Sequence, residues 1–212
     1  MVNSDFILCH NECDKNYYEG LLEKKCFINP TLMIEDSIKS TKSVVDRCGT
    51  IIGGNLVRWY GGFNSLMVAY QSNETIWAPS MGRMLDDELL FEDIKHLPYM
   101  SWVDWINTLN NFKYAVHLNP NTIAGTFSLN CAYLGIPCIG NIHSDTQRIC
   151  FPDLSVNSDD IKKAKNLMEK LRIDEKFYVY CSNNSKKLYD IHFKESVYLQ
   201  KWKNIESEIC EL

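Results

Sequence analysis

The sequence contains no apolar run approaching the ~20 residues that span a membrane as a helix. It has no C-x-x-C pair, no G-x-G-x-x-G, no Gly-Lys-[Ser/Thr] phosphate loop and no G-x-S-x-G. These gaps argue against a membrane helix, a zinc ribbon, a dinucleotide fingerprint, a P-loop and a nucleophile elbow. An excess of positive charge is also missing. Lys and Arg total 22 against 27 Asp and Glu, a formal charge of −5. That balance excludes the global field of a nucleic-acid coat or a polybasic membrane binder, though not a local basic pocket. Met1-Val2-Asn3-Ser4-Asp5 lacks the basic start of a secretion signal. The nine cysteines are odd in number, and Cys9, His10 and Cys13 have no second ligand pair at zinc spacing. They read as reduced, apolar thiols of a cytoplasmic protein.

What is present is an ordinary globular composition. The 212 residues are 45% hydrophobic and 23% charged. That is enough chain for one ample domain, or one domain and part of another. Short apolar runs alternate with stretches of helical spacing. Strands are expected at 6–9, 25–28, 50–52, 75–78, 94–97, 114–118 and 137–139. Helices are expected at 14–23, 33–38, 63–70, 86–93, from Ser101, at 126–134, after Ser158, and as one long helix over 185–208. Ser101-Trp102-Val103-Asp104 carries the capping-box pattern, and Gly135 is a helix stop. The alternation predicts βαβ units: an α/β fold built on a Rossmann-like, doubly wound parallel sheet with C-terminal helices. The polar connection at 40–43 is the expected domain boundary. It divides the chain into residues 1–43, a Rossmann-like domain over 44–157, and helices over 158–212.

In such sheets ligands bind beyond the carboxyl ends of the strands. Three loops stand there. Gly53-Gly54-Asn55-Leu56-Val57-Arg58-Trp59-Tyr60-Gly61-Gly62 pairs glycines that permit close backbone approach with Arg58, a forked donor for phosphate or carboxylate. Ala78-Pro79-Ser80-Met81-Gly82-Arg83 adds a second arginine. Asn119-Pro120-Asn121-Thr122-Ile123-Ala124-Gly125-Thr126-Phe127-Ser128 leads into a helix start, where free amides and the positive dipole end favour an anion. No Asp or Glu occurs between Asp104 and Asp145. Each loop also has a plain reading, as a glycine turn, a solvated charge or a packed strand–helix unit. His117 ends an expected strand and could face the cleft, but a strand histidine is more often simply packed.

At these loops the sequence resembles the nucleotide-sugar-binding C-terminal domain of GT-B-fold glycosyltransferases, nearest to family 4, the glycogen-synthase-like group. The segment Ile51 to Gly62 resembles that family's Gly-rich strand–loop–helix. His96-Leu97-Pro98-Tyr99-Met100-Ser101 resembles the loop that reads the nucleotide base. Gly125-Thr126-Phe127-Ser128-Leu129-Asn130-Cys131-Ala132-Tyr133-Leu134-Gly135-Ile136-Pro137 resembles the signature helix with its Gly-x-Pro exit. The resemblance runs from about residue 49 to 150. It implies a diphosphate at Gly54, Arg58, Gly125 and Thr126, with Phe127 and Ser128 beside it. It implies a base by Leu97 and Tyr99, and a ribose near Asn130. The family's paired glutamates fall on Thr122 and Asn130, and its diphosphate-neutralising Arg and Lys fall on Asn55 and Tyr60. Arg58 and Arg83 are the cations left for that role. The implied activity is sugar transfer from a nucleoside-diphosphate sugar, with no further cofactor and no bound metal. A non-catalytic nucleotide-binding or partner-docking module is the alternative. Residues 5–36 resemble only the end of the family's N-terminal domain. Either a separate chain supplies the acceptor-binding half, or the chain is a shortened relative of the family.

Overall fold

The computed structural model describes residues 4–38, 42, 43, 46–54, 56, 58–80, 88 and 91–211, with the side chains of Ser37 and Arg58 excepted. Six parallel strands form the main sheet. They are β3 (Thr50–Ile52), β4 (Ile76–Pro79), β5 (Ile94–Leu97), β6 (Tyr114–His117), β7 (Cys138–Asn141) and β8 (Ser155–Val156). Their spatial order is β5-β4-β3-β6-β7-β8. The order reverses between β3 and β6, where Thr50 pairs with Tyr114 and Ile52 with Val116. Ile51, Ile52, Ala115, Val116 and Ile139 are all fully buried. Covering on both faces is what a parallel sheet requires, so these strands are continuously apolar rather than alternating.

The covering helices are α2 (Gly62–Ala69), α3 (Trp102–Leu109), α4 (Thr126–Leu134), α5 (Asp145–Cys150), α6 (Ile161–Ile173) and α7 (Glu175–His192). Ser101 caps α3 by accepting from the Asp104 amide, and Asp160 caps α6 by accepting from that of Lys163. The carboxyl end of α4 is held from outside. Arg47, 5% exposed, donates to the carbonyls of Leu134 at 2.7 Å and Gly135 at 3.2 Å. A cation at this end of a helix meets both unpaired carbonyls and the negative dipole end.

Residues 7–28 form a separate βαβ unit. In it β1 (Ile7–Cys9) pairs in parallel with β2 (Cys26–Ile28) across α1 (Glu12–Leu22), a helix without a buried residue. The last helix, α8 (Glu195–Cys210), reaches this unit. Asn29 donates to the Tyr198 hydroxyl at 3.1 Å, and Lys25 pairs with Glu208 at 3.2 Å.

Several expectations change. The stretch 33–38 is a single 3-10 turn, Glu35–Ser37, because Glu35 is drawn into contacts with α7 and α8. The single helix expected over 185–208 is instead two. α7 begins at Glu175 and breaks at Phe193, whose ring is buried, and α8 restarts after Lys194. Helix α5 and strand β8 were not anticipated; at six residues and two, they are too short for a periodic signal. Half of the helix expected at 86–93 lies outside the described residues, as does part of the connection at 40–43, and the described 91–93 are not helical but turn directly into β5.

Candidate functional site

The sheet reversal leaves a crevice at the carboxyl ends of β3 and β6. A cavity of about 490 Å³ occupies it. Each wall is set by local backbone chemistry. After β3 the chain turns through Gly53 and Gly54, the latter at φ +90°. The following turn closes tightly on β6. A side chain at Gly61 would stand 2.0 Å from the Leu118 carbonyl oxygen. Ser65 locks the junction, accepting from the Leu118 amide and donating to the Gly61 carbonyl, both at 2.9 Å. Asn121 completes it by donating to the Trp59 carbonyl at 2.7 Å.

The opposite wall is the start of α4. Gly125, at φ +79°, precedes the helix and offers no side chain to cap it. Its own carbonyl accepts from Ser128 at 2.9 Å and from Thr146 at 2.7 Å. The helix end is thus anchored from behind, while Gly125, Thr126 and Phe127 line the cavity. One turn further in, Asn130 is 2% exposed and also lines it. Its Oδ1 has no hydrogen-bond partner. A buried acceptor without a partner costs about 1–3 kcal/mol, so this atom is poised for a donor brought in by a ligand.

The third side is aromatic. Tyr99, Met100, Trp102 and Trp105 line it, from the loop after β5 and from α3. Trp105 lies 6.3 Å from the Phe127 ring, and Phe127 meets the His117 ring edge-on at 5.2 Å. His117 forms the floor. Protein surrounds it except on its cavity side, and this desolvation lowers its pKa from 6.5 to about 4. The imidazole is therefore neutral at physiological pH.

Of the residues singled out from sequence, Gly54, Tyr60, Tyr99, Gly125, Thr126, Phe127 and Asn130 meet around this one cavity. Leu97 is buried in the sheet, Ser128 is committed to Gly125 and Thr146, and Thr122 is exposed; none of these lines it. Asn55 and Arg83 lie outside the described residues, as does the side chain of Arg58. Trp102, Trp105, Met100, Pro79, Pro98 and Asn119 join the lining without having been singled out for it. Pro79 ends β4 and Pro98 follows β5, so both lie in loops singled out from the sequence, and that place at the strand ends is the signal that marks them.

No family model and no curated protein matches the sequence. Solved structures do match. Sucrose-phosphate synthase from Thermosynechococcus elongatus superposes with a TM-score of 0.77 at 12% identity, over 100% of this chain and 60% of that one. Anabaena HepE in complex with UDP and glucose gives 0.73 at 10% identity, over 99% and 64%. The pneumococcal O-GlcNAc transferase GtfA in complex with UDP and GlcNAc gives 0.70 at 12%, over 97% and 45%. The fold is Rossmann-like, that of half a GT-B glycosyltransferase. The chain spans 60% of the synthase and 64% of HepE.

Proposed function

We propose that this chain binds a nucleoside-diphosphate sugar in the β3–β6 crevice and serves as a glycosyltransferase or as its donor-binding half. The observation that carries the reading is the meeting of three things in one cavity: the uncapped start of α4, the glycine turn after β3, and the unpartnered Asn130 Oδ1. Amides at a helix start suit a diphosphate, and a buried acceptor suits a sugar hydroxyl. The aromatic wall suits the planar base. In this reading Thr126 and Phe127 hold the diphosphate, and the cations assigned to it are Arg58 and Arg83. Asn130 accepts from the ribose, and the base lies along Tyr99. Catalysis would come from stabilising the charge that develops on the leaving diphosphate, without a bound metal.

The domain reading follows. Residues 1–43 are the remnant of an acceptor-side domain, 44–157 hold the donor, and of 158–212 helices α6 and α7 pack on the donor domain while α8 reaches the N-terminal residues. A separate chain would supply the rest of the acceptor side. No described helix is long and apolar enough to cross a membrane. The nine cysteines are free, which suits a cytoplasmic location.

A second reading, a binding module without catalysis, is favoured by one observation. Among the described residues, no carboxylate lines the cavity. Thermal-shift titration against UDP, GDP and ADP and their sugar conjugates tests the shared claim. A selective, saturable rise in Tm is expected. No rise with any nucleotide, on folded protein, would overturn nucleotide binding in both readings and leave a partner-docking module. Hydrolysis or transfer of the bound sugar would then decide between them.

A further inference from the structure

His117 is the cavity residue that the nucleotide reading leaves without a role, and its surroundings are specific. Its ring stands at the carboxyl end of β6, between the Gly53–Gly54 turn and the start of α4. A side-chain carbon on Gly53 would come within 2.6 Å of the ring, so the glycine leaves the imidazole its place. Phe127 closes it from the other side at 5.2 Å, and across β7 its register partner is Gly140. The ring therefore faces the space bounded by Gly54, Gly125 and Thr126, where the glycine turn and the helix start converge.

The groups that face it are few. The turn after β3 contributes Gly53 and Gly54, β7 contributes Gly140, and α4 contributes Thr126 and Phe127. Around the cavity the other titratable side chains among the described residues are the hydroxyls of Tyr60 and Tyr99. Desolvation alone holds the imidazole neutral, and among the described residues no carboxylate lines the cavity beside it. Such a group charges readily once an anion arrives, because the anion supplies the interaction whose lack kept it neutral.

We propose that His117 is a diphosphate-binding residue that takes up a proton from solvent when the ligand docks, becoming the cation at the floor of the crevice. One proton leaves a buffer acid and joins the free ring nitrogen, which then donates to a phosphate oxygen. No covalent bond to the ligand forms or breaks. The proposal rests on the nucleotide reading above. It makes binding tighter at lower pH, over the range in which the bound imidazole is charged and the free one is not.

The test uses ADP-, GDP- and UDP-glucose, whose diphosphate diesters do not titrate between about pH 5 and 9, so any proton taken up belongs to the protein. Histidine ring-nitrogen NMR, with the His117 ring assigned sequentially through its own backbone, follows the imidazole with and without saturating ligand. In the free protein the ring is expected to stay neutral down to pH 5. In the complex it is expected to be charged at pH 6. Calorimetry at pH 6 should show His117→Gln binding about tenfold more weakly, the loss of one charge-assisted hydrogen bond. The variant should also lose the rise in affinity between pH 8 and 6. Arg58 and Arg83 cannot mimic the NMR result, since a nearby cation lowers an imidazole pKa. A neutral imidazole in a saturated complex at pH 6 overturns the proposal and leaves the nucleotide reading standing, even if the variant fails to fold. Binding by none of the three sugar nucleotides overturns both.

Discussion

Gly53 and His117 occupy space that only one of them can fill with a side chain. A carbon added to Gly53 would lie 2.6 Å from Cγ of the imidazole. The glycine after β3 thus serves the histidine that ends β6, across the point where the sheet order reverses. Gly53→Ala is expected to displace the ring and cost about 1–3 kcal/mol through overpacking. Thermal unfolding should register the loss. Calorimetry should register weaker binding of the nucleotide as well, because the ring moves into the crevice.

Gly125 is constrained more severely. It combines φ +79° with an added carbon at 1.9 Å from Thr146 Oγ1 and 2.3 Å from Ser144 Oγ. Gly125→Ala is expected to destabilise the fold by at least about 2 kcal/mol, since strain and overlap act together. Urea unfolding measures this. A variant as stable as the parent would show that the start of α4 is not anchored as described.

Asn130 should separate stability from function. Its unpartnered Oδ1 is a cost in the free protein. Asn130→Leu removes that acceptor at similar volume and is expected to be neutral or up to about 1 kcal/mol stabilising. The same change should weaken nucleotide binding about tenfold or more. Melting curves and binding isotherms on one protein sample check both directions.

Acid should destabilise the chain partly through His117. Its folded pKa of about 4 lies below the ordinary 6.5, so the unfolded state binds the extra proton between these values. Stability therefore falls as pH drops from 6.5 to 4. The contribution is about 2 kcal/mol, less than full conversion of the shift because the cavity side of the ring meets water. Chemical denaturation of the parent and of His117→Gln across this window should show the parent losing more. Parallel slopes would contradict the burial.

Glu35 joins the N-terminal unit to the last helices. Its carboxylate accepts from the Tyr189 hydroxyl at 2.9 Å and from the Glu195 amide, the first of α8, at 3.1 Å. Glu35→Ala removes a charged acceptor from both and should cost about 1.5–3 kcal/mol. Hydrogen exchange is expected to quicken first across α8 and the β1–β2 pair, not in the main sheet.

Much of the site could be read from residue order alone, because strand ends and helix starts fall where composition changes. Gly54, Gly125, Thr126 and Phe127 were reached in this way, and Asn130 only through the family resemblance. Trp102 and Trp105 were not. Their spacing marks them only as one face of α3, and spacing does not say whether that face meets a core or a cavity. Ser128 shows the opposite error: a hydroxyl at a helix start looks available to a ligand, yet it turns back to Gly125 and Thr146.

Local sequence therefore determined the parallel sheet, the capped helices and the glycine turns, since periodicity, caps and backbone freedom act within a few residues. The tertiary structure decided the rest. It divided 185–208 between two helices because Phe193 is buried where the chain turns, and it drew Glu35 into α7 and α8. It brought His117 against Gly53, distant in sequence, and left Asn130 Oδ1 without a partner. Which groups face one another across the sheet reversal depends on strand order and packing, and neither is encoded in any single segment.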